Sequence, residues 1–352
     1  MYKDSYYIIG VMSGTSLDGV DLCYANYKFD EKWEYKIIST LTYNYSNKWK
    51  NRLLNSISLN KQDLKSLDLD YTDLLSSYIK KFINKFNIIE LDAVSSHGHT
   101  VFHQPKNKFT YQIGNLPELT KKLGFKVICD FRVQDVEFGG QGAPLVPIGD
   151  KLLFPDYTYC LNLGGFSNIS FKDDNEISAF DICPVNVVLN HYSRAIGHDF
   201  DLDGSIASNG KIIPNLLDEL NSLEYYKISK PKSLGLEWVF KEIFNVIDHH
   251  NLSIPDILRT YCEHIAIQIQ NALDNNISNV LITGGGAKNK YLIQLIKNKI
   301  QNPVVIPNTT LIDFKEALIF GFLGLLRSRY ENNCLGSVTG AKRDHSSGKI
   351  YQ

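Results

Sequence analysis

Paired cysteines are missing from this chain. Its six cysteines stand singly at 23, 129, 160, 183, 262 and 334, with no CxxC pair and no spacing of a zinc knuckle or disulfide framework. That leaves reduced thiols in a cytoplasm as the reading. Net charge is missing as well: 37 Lys and Arg against 38 Asp and Glu leave -1, so no overall field holds a nucleic acid or an anionic membrane. Residues 1–7 carry Lys3, Asp4 and Ser5 and lack the apolar core and small-residue cleavage site of a secretory signal, so export is not expected. The longest strongly apolar stretch, residues 317–326, falls far short of the roughly 20 residues that span a bilayer and reads as a core helix. Two nucleotide signatures are absent too. No GxxxxGK followed by Ser or Thr occurs, and Gly284-x-Gly286 has Asn289 where a third glycine would stand. Neither a Walker-type loop nor a dinucleotide fingerprint is present, and any phosphate site must be built differently.

What is present is an alternation of strands and helices. With 352 residues, 43% of them hydrophobic, the chain can bury one large or two medium cores, and two domains are expected. Tyr6-Tyr7-Ile8-Ile9-Gly10-Val11-Met12 reads as a strand, Ser13-Gly14-Thr15-Ser16-Leu17-Asp18-Gly19 as a polar turn and Val20-Asp21-Leu22-Cys23-Tyr24-Ala25 as a second strand. A helical stretch follows over about residues 48–86, then strands at 91–96 and 126–130. The Gly-rich segment 139–144 is expected to be a hinge or site loop near a domain boundary. Beyond it the strand, Gly turn, strand pattern recurs at residues 157–171 around Gly164 and Gly165, which suggests two related α/β domains. Residues 280–296 read as strand, glycine turn (Gly284, Gly285, Gly286) and helix, an arrangement that lets backbone amides approach a nucleotide.

Single motifs each have a plain reading beside the functional one. Residues 13–19 offer hydroxyls, glycine-freed amides and a carboxylate that could wrap a triphosphate and help hold its Mg²⁺; alone, they are an ordinary hairpin turn. His97 and His99 would share one face of a strand, but no neighbouring Cys or carboxylate completes a metal shell. Asp181 ends a strand ahead of a helix beginning near Val187, where a carboxylate is rigid enough to act as a general base, or simply caps a turn. Cys183 is expected to be a small buried thiol. Asp199, Asp201 and Asp203 lack the glutamate of a calcium loop and read as a solvated loop. Glu316 opens the apolar stretch, either as a helix N-terminal charge or pointing into a cleft.

Taken together the blocks resemble a family. Gly10-Val11-Met12-Ser13-Gly14-Thr15-Ser16-Leu17-Asp18-Gly19-Val20-Asp21 resembles the N-terminal signature of the anhydro-N-acetylmuramic acid kinases. Ser96-His97-Gly98-His99-Thr100, Gln112-Ile113-Gly114-Asn115, Asp130-Phe131-Arg132 and Gly139-Gly140-Gln141-Gly142-Ala143-Pro144-Leu145-Val146-Pro147 follow in the family's order. So do Asn162-Leu163-Gly164-Gly165, Phe180-Asp181, Gly284-Gly285-Gly286-Ala287-Lys288-Asn289, Glu316-Ala317 and Ser337-Val338-Thr339-Gly340-Ala341.

The resemblance implies the fold of actin, the heat-shock chaperone ATPases and the sugar kinases, two RNase-H-like α/β domains with an interdomain cleft for ATP and sugar. The domains are expected over 1–130 plus 328–352 and over 131–327. It implies a reaction in which water opens the 1,6-anhydro ring of 1,6-anhydro-N-acetylmuramic acid and ATP phosphorylates the freed O6, in cell-wall sugar recycling. The product is N-acetylmuramic acid 6-phosphate. By the same resemblance Asp181 is the catalytic base, and ATP is bound by Gly14, Thr15, Ser16, Leu17, Asp18, Gly19, Val20 and Asp21, with Gly164, Gly165, Gly284, Gly285 and Gly286. His97, Arg132, Gln141 and Glu316 are candidates for sugar contacts. ATP and Mg²⁺ are the expected cofactors, with the metal's ligands and a homodimer left open. The family's Thr-Gly-Pro-Gly-Asn after the base is Ile182-Cys183-Pro184-Val185-Asn186 here, and the Gln of its Ser-His-Gly-Gln-Thr block is His99. A kinase for a related amino sugar or anhydrosugar, and a nucleotide-gated binding protein of the same fold, are the alternatives.

Overall fold

A computed structural model describes residues 3–14, 17–173, 176–230, 232–273 and 277–352. Thr15 and Ser16 lie outside the described residues. Two compact units divide the chain, residues 1–155 with 314–352, and residues 156–313.

In the first unit β1 (Ser5–Met12), β2 (Gly19–Asp30) and β3 (Lys32–Asn44) form an antiparallel meander. Then β4 (Ala93–Ser96) joins β1 in parallel, and after the hairpin of β5 (His99–Gln104) and β6 (Phe109–Ile113), β7 (Val127–Cys129) joins β4 in parallel. The sheet order is β7-β4-β1-β2-β3, with the strand Lys349–Tyr351 added antiparallel to β7. β1 is central, and Ile8, Ile9 and Val11 are fully buried, which explains its unbroken apolar run. At the sheet's edge β3 places exposed Lys32, Glu34 and Lys36 between more buried partners, a charged alternation that hides a strand in an apolarity reading.

On one face of this sheet lie the helices Asn47–Leu54 and Lys61–Lys85, whose Leu67, Tyr71, Leu75, Ile79 and Phe82 enter the core with Ile9, Val11 and Val94. The helix Thr309–Ser328 packs against β1 so closely that a Cβ on Gly10 would stand 1.9 Å from the Ala317 carbonyl oxygen. Only glycine permits that approach, and it fixes where Glu316, one residue earlier, sits. Glu316 lies two turns into this helix, so it is not the N-terminal helix charge that the sequence allowed.

In the second unit β8 (Tyr159–Leu163), β9 (Phe166–Asp173) and β10 (Glu176–Pro184) form another antiparallel meander, and β11 (Val280–Thr283) and β12 (Val304–Val305) add in parallel, giving the order β10-β9-β8-β11-β12. Numbered from its own first strand, each sheet reads 3-2-1-4-5, with three antiparallel strands followed by two parallel ones. This is the RNase-H-like topology twice over. The second core gathers Leu161, Leu163, Ile169 and Ile282 with the helix Ile254–Ala272.

The unit edges fall at 155 and 313, where the sequence reading placed 130 and 327. Residues 131–155 are tied to the C-terminal segment: Thr339 Oγ1 donates to Asp135 Oδ1 at 2.7 Å, the Gln141 amide to the Thr339 carbonyl at 2.7 Å and Ser347 Oγ to the Phe131 carbonyl at 2.6 Å. Lys315 and Asp150, both buried, pair at 2.6 Å. The Gly-rich segment 139–144 therefore lies within the first unit and not at its edge.

Candidate active site

In the first unit the turn joining β1 to β2 carries residues 13–18. Leu17 adopts φ of 58° and its amide reaches the Gly14 carbonyl at 3.5 Å; the Tyr45 amide holds the Asp18 carbonyl at 3.1 Å, while the Asp18 side chain is exposed. Gly19 has no room for a side chain, since a Cβ would meet the Tyr43 carbonyl oxygen at 2.4 Å. Val20 is core, so only its backbone is available to a ligand. The Asp21 carboxylate accepts from Thr42 Oγ1 at 2.5 Å. Ser13, which the family block contains but which was not singled out, is buried and sits in a chain of hydroxyls: its Oγ is 2.7 Å from Tyr45 Oη and 3.0 Å from His99 Nδ1, and Tyr45 Oη is 2.6 Å from Tyr71 Oη. Burial pushes the His99 pKa down to about 4, so the ring is neutral near pH 7 and works as a hydrogen-bonding group.

His97 and His99 do not converge on a metal. Gly98 between them has φ of 75°, a left-handed residue that breaks the two-residue alternation of a strand. His97 Nδ1 donates to the Gly98 carbonyl at 2.9 Å and Nε2 accepts from Arg132 Nε at 2.9 Å. Burial, then the Arg132 charge, hold its pKa well below the usual imidazole range. Both ring nitrogens are thus used inside the protein, and the ring's evident task is to aim Arg132. Arg132 Nη1 donates to the Gly142 carbonyl at 2.9 Å, so the guanidinium is held at two points. Burial lowers its pKa to about 10 and Glu316 opposes the drop. Glu316 is solvent-accessible yet crowded by protein, and desolvation pushes its carboxyl up, with Lys315 opposing, Asp21 reinforcing and Arg132 opposing. Asp21, Arg132 and Glu316 therefore share one electrostatic neighbourhood. Gln141 has an exposed side chain on a backbone fixed through Thr339.

In the second unit three turns meet. The amides of Val185 and Val187 donate to the Gly165 carbonyl at 2.8 and 3.2 Å, and the Asn186 amide to the Gly164 carbonyl at 3.2 Å. Asn186 Nδ2 donates to the Leu163 carbonyl at 3.2 Å, and a Cβ on Gly285 would stand 3.6 Å from that Nδ2. Gly284 has φ of 82°, and a Cβ there would fall 2.4 Å from Asn162 Oδ1. The five glycines of the second unit that are expected to serve ATP are thus brought together, with Asn186 as the side chain among them that single-motif reading missed. The 3-10 helix Gly285–Lys288 leaves its leading amides outside its own hydrogen bonding, which suits them to an anionic oxygen.

Asp181 sits at a β-bulge: it pairs with Asn168 while Cys183 pairs with Ser167, so Ile182 is the extra residue. A bulge re-aims the side chain beside it. Asp181 Oδ2 accepts from the Leu234 amide at 2.9 Å, its amide donates to the Lys232 carbonyl at 3.0 Å and its carbonyl accepts from Tyr225 Oη at 2.6 Å. Desolvation raises the carboxyl's pKa and the Leu234 hydrogen bond partly offsets it. The result is a fixed carboxylate with one oxygen engaged within the protein and a raised proton affinity, the properties of a general base. Cys183 is fully buried against Ser167 Oγ at 3.3 Å, as expected of a packing thiol. Asp201 departs from the solvated-loop reading: it is buried and accepts from the amides of Ile206 and Ala207 at 2.8 and 2.9 Å, capping a helical turn.

Residues 6–352 match the anhydro-N-acetylmuramic acid kinase family model. The chain belongs to that family. An anhydro-N-acetylmuramic acid kinase of Vibrio parahaemolyticus is 32% identical over 377 residues, covering 97% of each chain. One from Actinobacillus pleuropneumoniae serotype 7 is 33% identical over 372 residues, covering 100% of each. Among solved structures, a ligand-bound xylulose kinase from Lactobacillus acidophilus aligns with a TM-score of 0.48 and 12% identity over 98% of this chain and 93% of that one. The family's departures in this chain now have places. Ile182, Cys183 and Val185 are all buried in the hydrophobic core of the second unit, and His99 occupies a hydrogen-bonding position beside Ser13.

Proposed function

We propose that this protein is an ATP-dependent kinase that opens 1,6-anhydro-N-acetylmuramic acid with water and phosphorylates O6. Membership of the family supports the overall reaction, and the observation that carries the site assignment is Asp181, a rigid carboxylate of raised proton affinity on a β-bulge. In the proposed reaction Asp181 takes a proton from the water attacking the anomeric carbon. The bond from that carbon to O6 breaks, O6 forms a bond to the γ-phosphorus, and the bond to the β-bridging oxygen breaks to release ADP. N-acetylmuramic acid 6-phosphate is the product.

The turn at 13–21 and the glycine cluster at 164–165 and 284–286 are assigned to ATP, through backbone amides and small side chains. Arg132, aimed by His97 and the Gly142 carbonyl, is assigned to an anionic or polar group of the sugar, together with Gln141 and Glu316. Exposed Asp18, with Asp21 and Glu316, provides the hard oxygen donors that Mg²⁺ prefers, and these residues would hold the ion or its waters. When bound, Mg²⁺ neutralises charge on the phosphate oxygens. Burial of Ile182, Cys183 and Val185 supports the same sugar as the relatives, since these side chains fill a core instead of lining a pocket. The test is mass spectrometry of protein, Mg²⁺-ATP and 1,6-anhydro-N-acetylmuramic acid in ¹⁸O-water. A ring-opened phosphosugar with one labelled oxygen is expected; untouched ATP and sugar with folded protein would refute the reading.

A further inference from the structure

Among the described residues one group of three metal-ligating side chains clusters in the first unit: Asp135, Cys334 and His345. None of them belongs to the proposed chemistry. Asp135 comes from the helix Val133–Glu137. Cys334 and His345 come from an isolated antiparallel bridge, in which each amide donates to the other residue's carbonyl at 3.1 Å. Directly opposed residues of such a bridge project to the same face, so the backbone itself sets a thiol beside an imidazole. All three are buried, with Asp135 0%, Cys334 1% and His345 5% exposed.

Two of the three ligand pairs already have the spacing of metal ligands. Cys334 Sγ and His345 Nε2 each lie 3.5 Å from Asp135 Oδ1, and all three ligand atoms are within 4.8 Å of one another. With bonds of about 2.0 to 2.3 Å, a tetrahedral zinc has ligand-to-ligand edges of about 3.3 to 3.5 Å. Asp135 and His345 are also oriented from behind. Asp135 Oδ2 accepts from the Gly142 amide at 2.6 Å and Oδ1 from Thr339 Oγ1 at 2.7 Å. His345 Nδ1 donates to the Arg343 carbonyl at 3.1 Å, which leaves the Nε2 lone pair aimed into the cluster. That Nε2 is buried and makes no hydrogen bond, its ionic contact being Asp135 Oδ1 at 3.5 Å, and a bound ion between the two would satisfy both. The Phe138 ring stands edge-on to the imidazole at 4.9 Å and gives the site an apolar wall, as the shells around structural metals often do.

We infer that Asp135, Cys334 and His345 form a three-ligand site for a divalent transition metal, with Zn²⁺ the favoured ion and its fourth position left to a water. Thiolate, imidazole and carboxylate together select zinc over Mg²⁺ or Ca²⁺, which take oxygen ligands. The charges close: one carboxylate and one thiolate neutralise the ion, and the imidazole binds neutral. Binding breaks the Cys334 S–H bond, forms a metal–sulfur bond and releases one proton to solvent. Without metal, burial and then Asp135 push the thiol pKa up, so the ion's arrival accounts for that proton. The metal would cross-link the C-terminal segment to the helix Val133–Glu137, and through the Asp135 contact to Gly142 it would brace the carbonyl that holds Arg132.

The test is metal analysis of the full-length protein, purified without chelator and then equilibrated with Zn²⁺ and desalted, with a parallel sample reconstituted with Co²⁺. About one zinc per chain is expected, together with a cobalt–thiolate charge-transfer band and a fall in Tm when a strong chelator strips the ion. Cys334→Ser and His345→Gln should each weaken zinc retention on the order of tenfold or more, while Cys262→Ser, at a buried thiol remote in sequence, retains it. Should either variant fail to fold, the cobalt band of the unmodified protein decides alone. Folded protein holding only a trace of zinc and showing no cobalt–thiolate band would overturn the inference, as would equal retention by folded Cys334→Ser. The three side chains would then be a metal-free cluster with the Cys334 thiol donating to Asp135.

Discussion

Replacing Asp181 with Asn changes one atom and should move activity and stability in opposite directions. The Asn side chain can still present an oxygen to the Leu234 amide, which holds Asp181 Oδ2 at 2.9 Å, and the bulge at Ile182 is set by backbone pairing, so the fold should persist. What is lost is a proton acceptor. General-base catalysis contributes about 10²- to 10⁴-fold, equivalent to about 3 to 5 kcal/mol of transition-state stabilisation, and kcat should fall by that factor with the KM for ATP nearly unchanged. Stability should go the other way. Desolvation raises the folded-state pKa of Asp181 above its ordinary value, so its stabilising influence is present only at acid pH and is lost as pH rises through the folded pKa. Near neutrality the buried charge is a cost that Asn removes. The assay is ADP release with and without sugar, beside thermal unfolding at pH 6 and pH 8. The variant's Tm should equal or exceed that of the parent at both. A folded variant with kcat within threefold of the parent would refute the assignment of the base.

Further outcomes follow from other contacts. The acid limb of kcat/KM should lie above the ordinary carboxylate range, because Asp181 and Glu316 are both raised by desolvation; a limb at or below pH 4 would contradict this. Arg132→Lys cannot hold both His97 Nε2 and the Gly142 carbonyl, so kcat/KM should drop at least tenfold while unfolding by denaturant shows a loss of about 1 to 3 kcal/mol for the abandoned partner. His99→Gln should keep activity within a few-fold, since the neutral ring already acts as a hydrogen-bonding group to Ser13. The folded-state pKa of His99, about 4, lies below its ordinary value, so stability present above about pH 6.5 is lost as pH falls toward 4; Tm measured across that window should decline less in His99→Gln. Gly10→Ala should cost about 3 kcal/mol by denaturant titration, because the new Cβ would lie 1.9 Å from the Ala317 carbonyl oxygen. Gly124→Ala, with φ of 72° and open space around it, should cost only about 1 kcal/mol.

The duplicated architecture was legible in the sequence because its marks are local. A strand, a Gly-bounded turn and a second strand occur at residues 6–25 and again at 157–171, and each pair became the first two strands of a 3-2-1-4-5 sheet. The third strand of the first meander was not read: β3 is an edge strand whose charged residues 32, 34 and 36 break up any apolar run, although they alternate with more buried partners. Gly284 and Gly286 could be read for the same local reason, since the positive φ of the first and the close approach of the Leu163 carbonyl to the second demand glycine.

The polar side chains were harder to read, because their meaning depends on partners far along the chain. On a strand His97 and His99 would share a face, yet the left-handed Gly98 sends one ring to Arg132 and the other to Ser13. Asp135 stands in the Asp-Phe-Arg to Gly-Gly-Gln-Gly stretch without a signal of its own, and gains its importance from Thr339, 204 residues away. That long-range tie also moves the unit edge: once Asp135, Gln141 and Phe131 are bonded to residues 339 and 347, the segment 131–155 cannot belong with the second sheet. A carboxylate that organises a turn by accepting from its amides looks, in sequence, like any surface aspartate. Asp201, Asp135 and Asp181 all do this, through Ile206 and Ala207, Gly142, and Leu234 respectively. What separates the proposed base from the two structural carboxylates is the number of oxygens engaged. Asp135 and Asp201 have hydrogen bonds to both oxygens, whereas the Leu234 amide engages Asp181 through Oδ2, leaving Oδ1 as the atom to receive a proton.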